Sequence, residues 1–180
     1  RLARPILGKS SKTPLATHDM PWLAGAVLSG GIIGPLLLMI GLQRTEAGAA
    51  SLLLTLEGVA TALLAWLVFH ENFDRRIALG MAFLVTGAVI LSWSGAPTLD
   101  SLIGPAAITS ACLAWGLDNN LTRKVSLADP LQIVELKGLI AGPASLALGL
   151  ATGGQIPAAT PLMIAGIVGF LGYGVSLALF

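Results

Sequence analysis

At 180 residues the chain is 55% hydrophobic and only 11% charged, less than half the share of about 25% that soluble domains carry. Its mean hydropathy is +0.86. A net charge of +1 supplies no basic field for nucleic acid, and the single cysteine, Cys112, excludes an internal disulfide and a cysteine-based zinc cluster.

Residues 1–20 form a polar, Pro-containing segment, and hydrophobic stretches follow over 22–42, 47–69, 77–93, 102–121, 130–151 and 161–180. Each is close to the roughly 20 apolar residues that span a hydrocarbon core of about 30 Å. The first ends at the short hairpin Gln43-Arg44-Thr45-Glu46, and the second at the charged turn from His70 to Arg76. The third runs into the breaker cluster Trp93-Ser94-Gly95-Ala96-Pro97, the fourth into Arg123-Lys124, and the fifth into Gly153-Gly154-Gln155-Ile156-Pro157.

If each stretch crosses once, the segments between them alternate sides. Arg1, Arg4, Lys9, Lys12, Arg75, Arg76, Arg123 and Lys124 then share one side, eight of the ten Lys and Arg. Arg44 takes the other side, and Lys137 lies within a stretch. Cytoplasmic segments carry such an excess, so residues 1–20 are an inner loop and the first helix runs outward. Trp22, Trp66 and Trp93 fall near helix ends, as an interfacial aromatic belt requires. Trp115 lies deeper and needs another explanation. Cys112 sits in an apolar run and reads as a small core residue. Residue 1 is Arg, residues 1–20 lack the apolar core of a signal peptide, and Phe180 falls inside an apolar stretch. The chain therefore reads as a piece of a longer membrane protein.

A weak internal repeat accompanies this pattern. Sliding the chain by 141 positions aligns residues 23–39 with 164–180 and matches Ala24, Gly25, Val27, Gly31, Leu36 and Leu38 with Ala165, Gly166, Val168, Gly172, Leu177 and Leu179. Gly, Ala and Leu are common enough here to supply part of that by composition. The first and sixth stretches are five crossings apart and so run in opposite directions. A segment repeated upside down is the inverted-topology architecture of many secondary transporters.

The run Leu56-Glu57-Gly58-Val59-Ala60-Thr61-Ala62-Leu63-Leu64-Ala65-Trp66, followed by His70-Glu71, Gly80 and Gly87-Ala88-Val89-Ile90-Leu91, resembles the end of an EamA-type repeat of the drug/metabolite transporter superfamily. The segment from Ala114 to Lys124, with Asp129-Pro130 after it, is similar to the start of the next repeat. The resemblance implies an all-α polytopic bundle taken from ten transmembrane helices in two inverted five-helix repeats. Residues 1–95 would then hold the C-terminal part of the first repeat and residues 101–180 the N-terminal part of the second. Gly58 stands where many family members have Pro after the Glu.

Ionisable groups inside a membrane are costly and usually functional, which singles out Glu57, Asp118, Glu135 and Lys137. Glu57 lies about ten residues into its helix, roughly 15 Å deep and beyond the reach of snorkelling. It is either a proton- or substrate-binding carboxylate or a neutral acid packed for structure. Asp118, Glu135 and Lys137 lie within roughly 7–10 Å of the inner surface. Lys137 either snorkels or pairs. Glu135 is two residues away and faces elsewhere, so the expected partner is Asp118 on the fourth helix. Trp115, Asp118, Asn119 and Thr122 fall at i, i+3, i+4 and i+7. That stripe faces inward, either along a substrate path or in hydrogen bonds between helices. Tyr173 is a further candidate.

Gly30-x-x-x-Gly34, Gly138-x-x-x-Gly142 and Gly149-x-x-x-Gly153 allow close helix packing. Gly34-Pro35 and Gly142-Pro143 fall mid-helix, where proline kinks the rod or marks an interrupted site helix. Gly169-Phe170-Leu171-Gly172-Tyr173-Gly174 has no strand before it and is not a nucleotide loop. His70-Glu71 lacks a second His four residues on, and His18 and His70 read as surface loop residues.

These readings converge on an integral membrane permease. It would move a small metabolite or drug-like solute across the plasma membrane, the inner membrane of a bacterium, by alternating access. A non-transporting scaffold or accessory subunit is the alternative. No enzyme activity, catalytic residue, metal or cofactor is expected. The expected partners are a small-molecule substrate and the lipid bilayer, with a homodimer left open and no nucleic acid.

Overall fold

A computed structural model describes residues 15–72, 74–92, 99–125 and 128–175, with side chains described except at 91, 92, 99, 100, 131, 173 and 174. These residues are helical rods joined by short turns. We label them α1 (Thr17–Leu42) and α2 (Ala47–Leu67), then α3 (Arg75–Ser92), α4 (Leu99–Lys124), α5 (Pro130–Ala151) and α6 (Ala159–Gly169), which continues as a π-helical turn, Phe170–Val175. The rods follow the order of the hydrophobic stretches. Thr17–Leu42, Ala47–Leu67 and Gln132–Ala151 are long and apolar enough to cross a membrane by length and composition. The apolar run of α6, Ala159–Gly172, is shorter. α4 outruns its expected 102–121 at both ends, and Pro105, Asp118, Asn119 and Asn120 dilute its hydropathy.

The contacts at the rod ends show how the rods alternate. The backbone N–H of Leu15 donates to Gln132 Oε1 at 3.4 Å, Arg123 pairs with Glu71, and Lys124 Nζ sits 5.3 Å from the Phe69 ring centroid. The start of α1, the end of α2, the end of α4 and the start of α5 therefore gather at one end. At the other end the Arg44–Thr45 turn packs on Gly104, near the start of α4.

α4 is the central rod. Apolar side chains gain little by leaving lipid, so membrane helices associate through close backbone approach at small residues. A Cβ added at Gly116 would meet Thr61 N at 2.8 Å and the Ala60 carbonyl carbon at 2.9 Å, and one at Gly41 would meet the Gly104 carbonyl at 3.0 Å. Ala50, Leu53, Ile108 and Cys112 form one buried cluster, and Leu23, Val27, Val125, Ala128 and Ile133 another. Cys112 is fully buried, a core residue as its setting implied.

Gly138, Gly142 and Gly149 have nothing within 4 Å of an added Cβ, so the fifth-helix glycine motifs are not packing seams among the described residues. α5 docks instead through Ile133, Lys137, Ala141 and Ser145, spaced four apart on one face. No residue of α6 between Ala159 and Gly169 is buried.

Two rods are irregular for local reasons. α1 is π-helical over Val27–Ile33, directly before Gly34-Pro35. Pro35 has no N–H and its ring crowds the carbonyl four residues back, and a π turn is a common way to absorb this. In α2 the Thr55 N–H bonds Leu52 O at 3.1 Å rather than the carbonyl four residues back, and the Thr55 hydroxyl donates to the same oxygen at 2.6 Å. The break therefore falls three residues before Gly58.

The turn after α2 holds His70, whose φ is +55°. The Glu71 N–H bonds Ala65 O at 3.0 Å, one residue further back than the closing bond of a Schellman turn. A left-handed conformation costs an L-residue about 1–2 kcal/mol. His70→Gly should therefore raise unfolding stability by about 0.5–1 kcal/mol, read as a higher melting temperature in detergent, and His70→Val should lower it.

Candidate functional site

The polar side chains of the helical interior meet where α4 crosses α1, α2 and α5. The turn at Thr55 puts Glu57 in the first turn of the second half of α2, where the local helix dipole favours a carboxylate. Asn119 Nδ2 donates to Glu57 Oε1 and to Thr61 Oγ1, each at 3.1 Å. Asn120, 2% exposed, donates to the carbonyls of Thr61 at 3.0 Å and Gly116 at 2.8 Å. Its amide thus fastens the point where Gly116 brings the two backbones together.

On the other side of α4, Lys137 Nζ lies 2.5 Å from Asp118 Oδ1 and 3.1 Å from Thr122 Oγ1. The Thr122 hydroxyl donates to Asp118 Oδ1 at 2.9 Å. The Asp118 and Lys137 side chains are 13% and 25% exposed. Gly30 of α1 provides the room, because a Cβ there would overlap the Asp118 carboxylate. The α4–α5 contact expected from depth is present, and Lys137 is paired rather than extended toward the rod end.

The stripe Trp115, Asp118, Asn119 and Thr122 lies against neighbouring helices, with Asn119 still exposed, and it divides among three of them. Asp118 and Thr122 turn to α5, and Asn119 turns to α2. Trp115 turns to α1, where its indole N–H donates to Gly30 O at 3.0 Å and its ring lies over Gly34, whose added Cβ would be 2.7 Å from Nε1. That bond accounts for an aromatic too deep for an interfacial belt.

Glu135 joins neither seam. It is exposed and lines a groove of about 370 Å³ with Leu15, Gln132, Leu136 and Leu139. The side chain of Tyr173 lies outside the described residues. The sequence missed Thr61, Asn120 and Ser145, whose hydroxyl donates to Gly31 O at 3.2 Å. Only the spacing of Ser145 from Lys137, eight residues and so the same helix face, could have pointed to it. Among the described residues no three His, Cys, Asp or Glu side chains converge as metal ligands would.

The model of the EamA-like transporter family matches residues 4–93. An uncharacterized transporter of Methanothermobacter thermautotrophicus is 30% identical over 122 residues, covering 64% of this chain and 35% of that protein. A probable 4-amino-4-deoxy-L-arabinose-phosphoundecaprenol flippase subunit ArnE of Pseudomonas aeruginosa is 43% identical over 74 residues, 41% of this chain and 62% of its own length. The protein of the same description from Salmonella paratyphi B is 35% identical over 88 residues, 46% of this chain and 78% of its own. No solved structure matches. The match thus spans about a third of the archaeal relative and less than two thirds of the Pseudomonas one.

Proposed function

The chain belongs to the EamA-like transporter family, whose model covers residues 4–93 of its 180, and from that premise we propose that it forms part of a permease for a small solute. The described residues form helical rods, three of them long and apolar enough to cross a membrane. The proposal adds six crossings of a bacterial inner membrane, cationic rod ends in the cytoplasm, and alternating access at a site between α1, α2, α4 and α5. Residues 1–95 belong to one repeat and residues 101–180 to an inverted second one.

The observation that carries the site is the pair of polar seams on α4, because polar groups inside apolar rods are retained at a cost. Glu57 and Asn119 lie on the more open seam, with Asn119 exposed and Glu57 half-buried, which suits contact with a solvated path. Asp118, Thr122 and Lys137 satisfy one another and hold α4 to α5. Trp115 supports the broken stretch of α1. The gathering of the α2 and α4 ends at one face favours alternate crossing. The repeat has a structural echo: the 141-residue shift carries the π segment Val27–Ile33 onto residues 168–174, and the second π segment is Phe170–Val175. Glu135, in its exposed groove, and Tyr173 stay secondary candidates for solute contact.

The test is metabolite uptake by the full-length protein in proteoliposomes, screened with and without a pH gradient. Glu57→Gln should reduce gradient-coupled uptake at least tenfold, a barrier change of about 1.4 kcal/mol. Unchanged coupled uptake would make Glu57 structural.

A second reading rests on the closed Asp118–Lys137 pair and on the relatives described as a flippase subunit. The chain would then act beside another subunit on a lipid-linked sugar, which predicts no solute uptake alone and co-purification with a second membrane protein.

A further inference from the structure

α1 carries two backbone carbonyls that lose their α-helical donors. The Gly34 N–H bonds Ser29 O, closing the π turn, so it is withdrawn from Gly30 O, its α-helical acceptor. The next residue, Pro35, has no N–H for Gly31 O or for a further π bond to Gly30 O. An unsatisfied carbonyl inside a membrane is expensive, and proline is tolerated there where neighbouring side chains replace the missing donor. Two side chains do so here, from different helices. The Trp115 indole of α4 donates to Gly30 O at 3.0 Å, and the Ser145 hydroxyl of α5 donates to Gly31 O at 3.2 Å.

The two attachments sit in unlike surroundings. α4 is held to α1 and α2 by backbone-to-backbone approach at Gly41, Gly104 and Gly116. α5 meets the π segment along a single face. There Ala141 closes on Gly31, near enough that a Cβ at residue 31 would lie 2.6 Å from the Ala141 Cβ. Lys137 lies one turn before Ala141 and Ser145 one turn after it. The register that docks Ser145 on Gly31 O is therefore the register that delivers Lys137 to Asp118.

We propose that Ser145 is a positioning residue: its bond to the Gly31 carbonyl, which Pro35 strips of a backbone donor, holds α5 in the register that pairs Lys137 with Asp118. Nothing in this depends on what is transported, so the test reads the pair itself.

In membranes containing the full-length protein, the rate at which a permeant acetyl ester modifies Lys137 is followed by peptide mass spectrometry. Lys124, stacked on Phe69, is the internal reference. Ser145→Ala should raise the Lys137 rate relative to Lys124 about 2- to 10-fold, the population change that loss of one neutral hydrogen bond produces. Ser145→Thr keeps the hydroxyl and should react at the parent rate. Pro35→Ala restores a backbone N–H, so Ser145→Ala made in that background should leave the rate unchanged. A Lys137 rate unaffected by Ser145→Ala, while Asp118→Asn raises it, would overturn the proposal. So would a parallel rise at Lys124, which reports general loosening, or an undiminished effect in the Pro35→Ala background.

Discussion

Replacing Asp118 by Ala, or Lys137 by Met, should destabilise the protein by about 2–3 kcal/mol, and the double replacement should cost about 1 kcal/mol or less. Truncating one partner leaves the other charge without its counterion inside the helix bundle. Fully buried pairs lose about 3–5 kcal/mol in this way, and the partial exposure of these side chains, 13% and 25%, sets the smaller figure. Removing both charges removes the orphan. A double-mutant cycle on unfolding in detergent measures the coupling, and additive losses would show that the contact carries no mutual stabilisation. The reversed pair, Asp118→Lys with Lys137→Asp, should not restore stability. Gly30 packs against the short Asp118 side chain, and a lysine at 118 would overlap the α1 backbone, so geometry rather than charge alone makes the pair directional.

Gly116→Ala should cost about 2–3 kcal/mol, whereas Gly138→Ala and Gly142→Ala should each gain about 0.5–1 kcal/mol. The substitution is the same and the surroundings decide its sign. At Gly116 the new methyl would meet backbone atoms of Thr61 and Ala60 at 2.8 and 2.9 Å, and backbone cannot rotate away as a side chain can. The helices must separate, which also lengthens the Asn120 bonds to the Thr61 and Gly116 carbonyls. At Gly138 and Gly142 the methyl enters open space, leaving only the higher helix propensity of alanine. Melting temperatures of the three variants check the contrast. A loss at Gly138 as large as that at Gly116 would show that α5 packs closely on a face that is open here.

The rods were legible in the sequence because apolar stretches of about 20 residues, punctuated by charge and by Gly or Pro, have few alternatives to helix in a lipid phase. The 130–151 stretch came out with its bounds unchanged, since Asp129-Pro130 is a helix start and Thr152-Gly153-Gly154 a stop. Residues 102–121 did not, because Leu99 and Arg123-Lys124 are compatible with helix and polarity alone does not end one. The hydrophobic pattern also gave six stretches equal standing, whereas among the described residues three of the rods are long and apolar enough to cross a membrane.

At the site, the sequence supplied the cast and part of the pairing. Depth and helix angle named Asp118 as the partner should Lys137 pair rather than snorkel, and the structure holds that pair. Periodicity put Trp115, Asp118, Asn119 and Thr122 on one stripe, of which Trp115, Asp118 and Thr122 are partly buried and Asn119 is exposed. It could not divide that stripe between α2 and α5. Nor could it separate Gly30 and Gly116, which lie in seams, from Gly138 and Gly142, which do not. Those distinctions depend on which rod lies against which face, and a one-dimensional pattern holds no information on rotation between helices. What the sequence determined by itself was the helical class, the places where rods turn, and the residues too polar to face lipid. The tertiary structure alone decided that α4 is the central rod, that Pro35 has its missing donor replaced from two other helices, and that Glu57 and Lys137 belong to separate seams. Local composition governs where a chain can cross a membrane, whereas close backbone approach and the satisfaction of single carbonyls are settled only when helices meet.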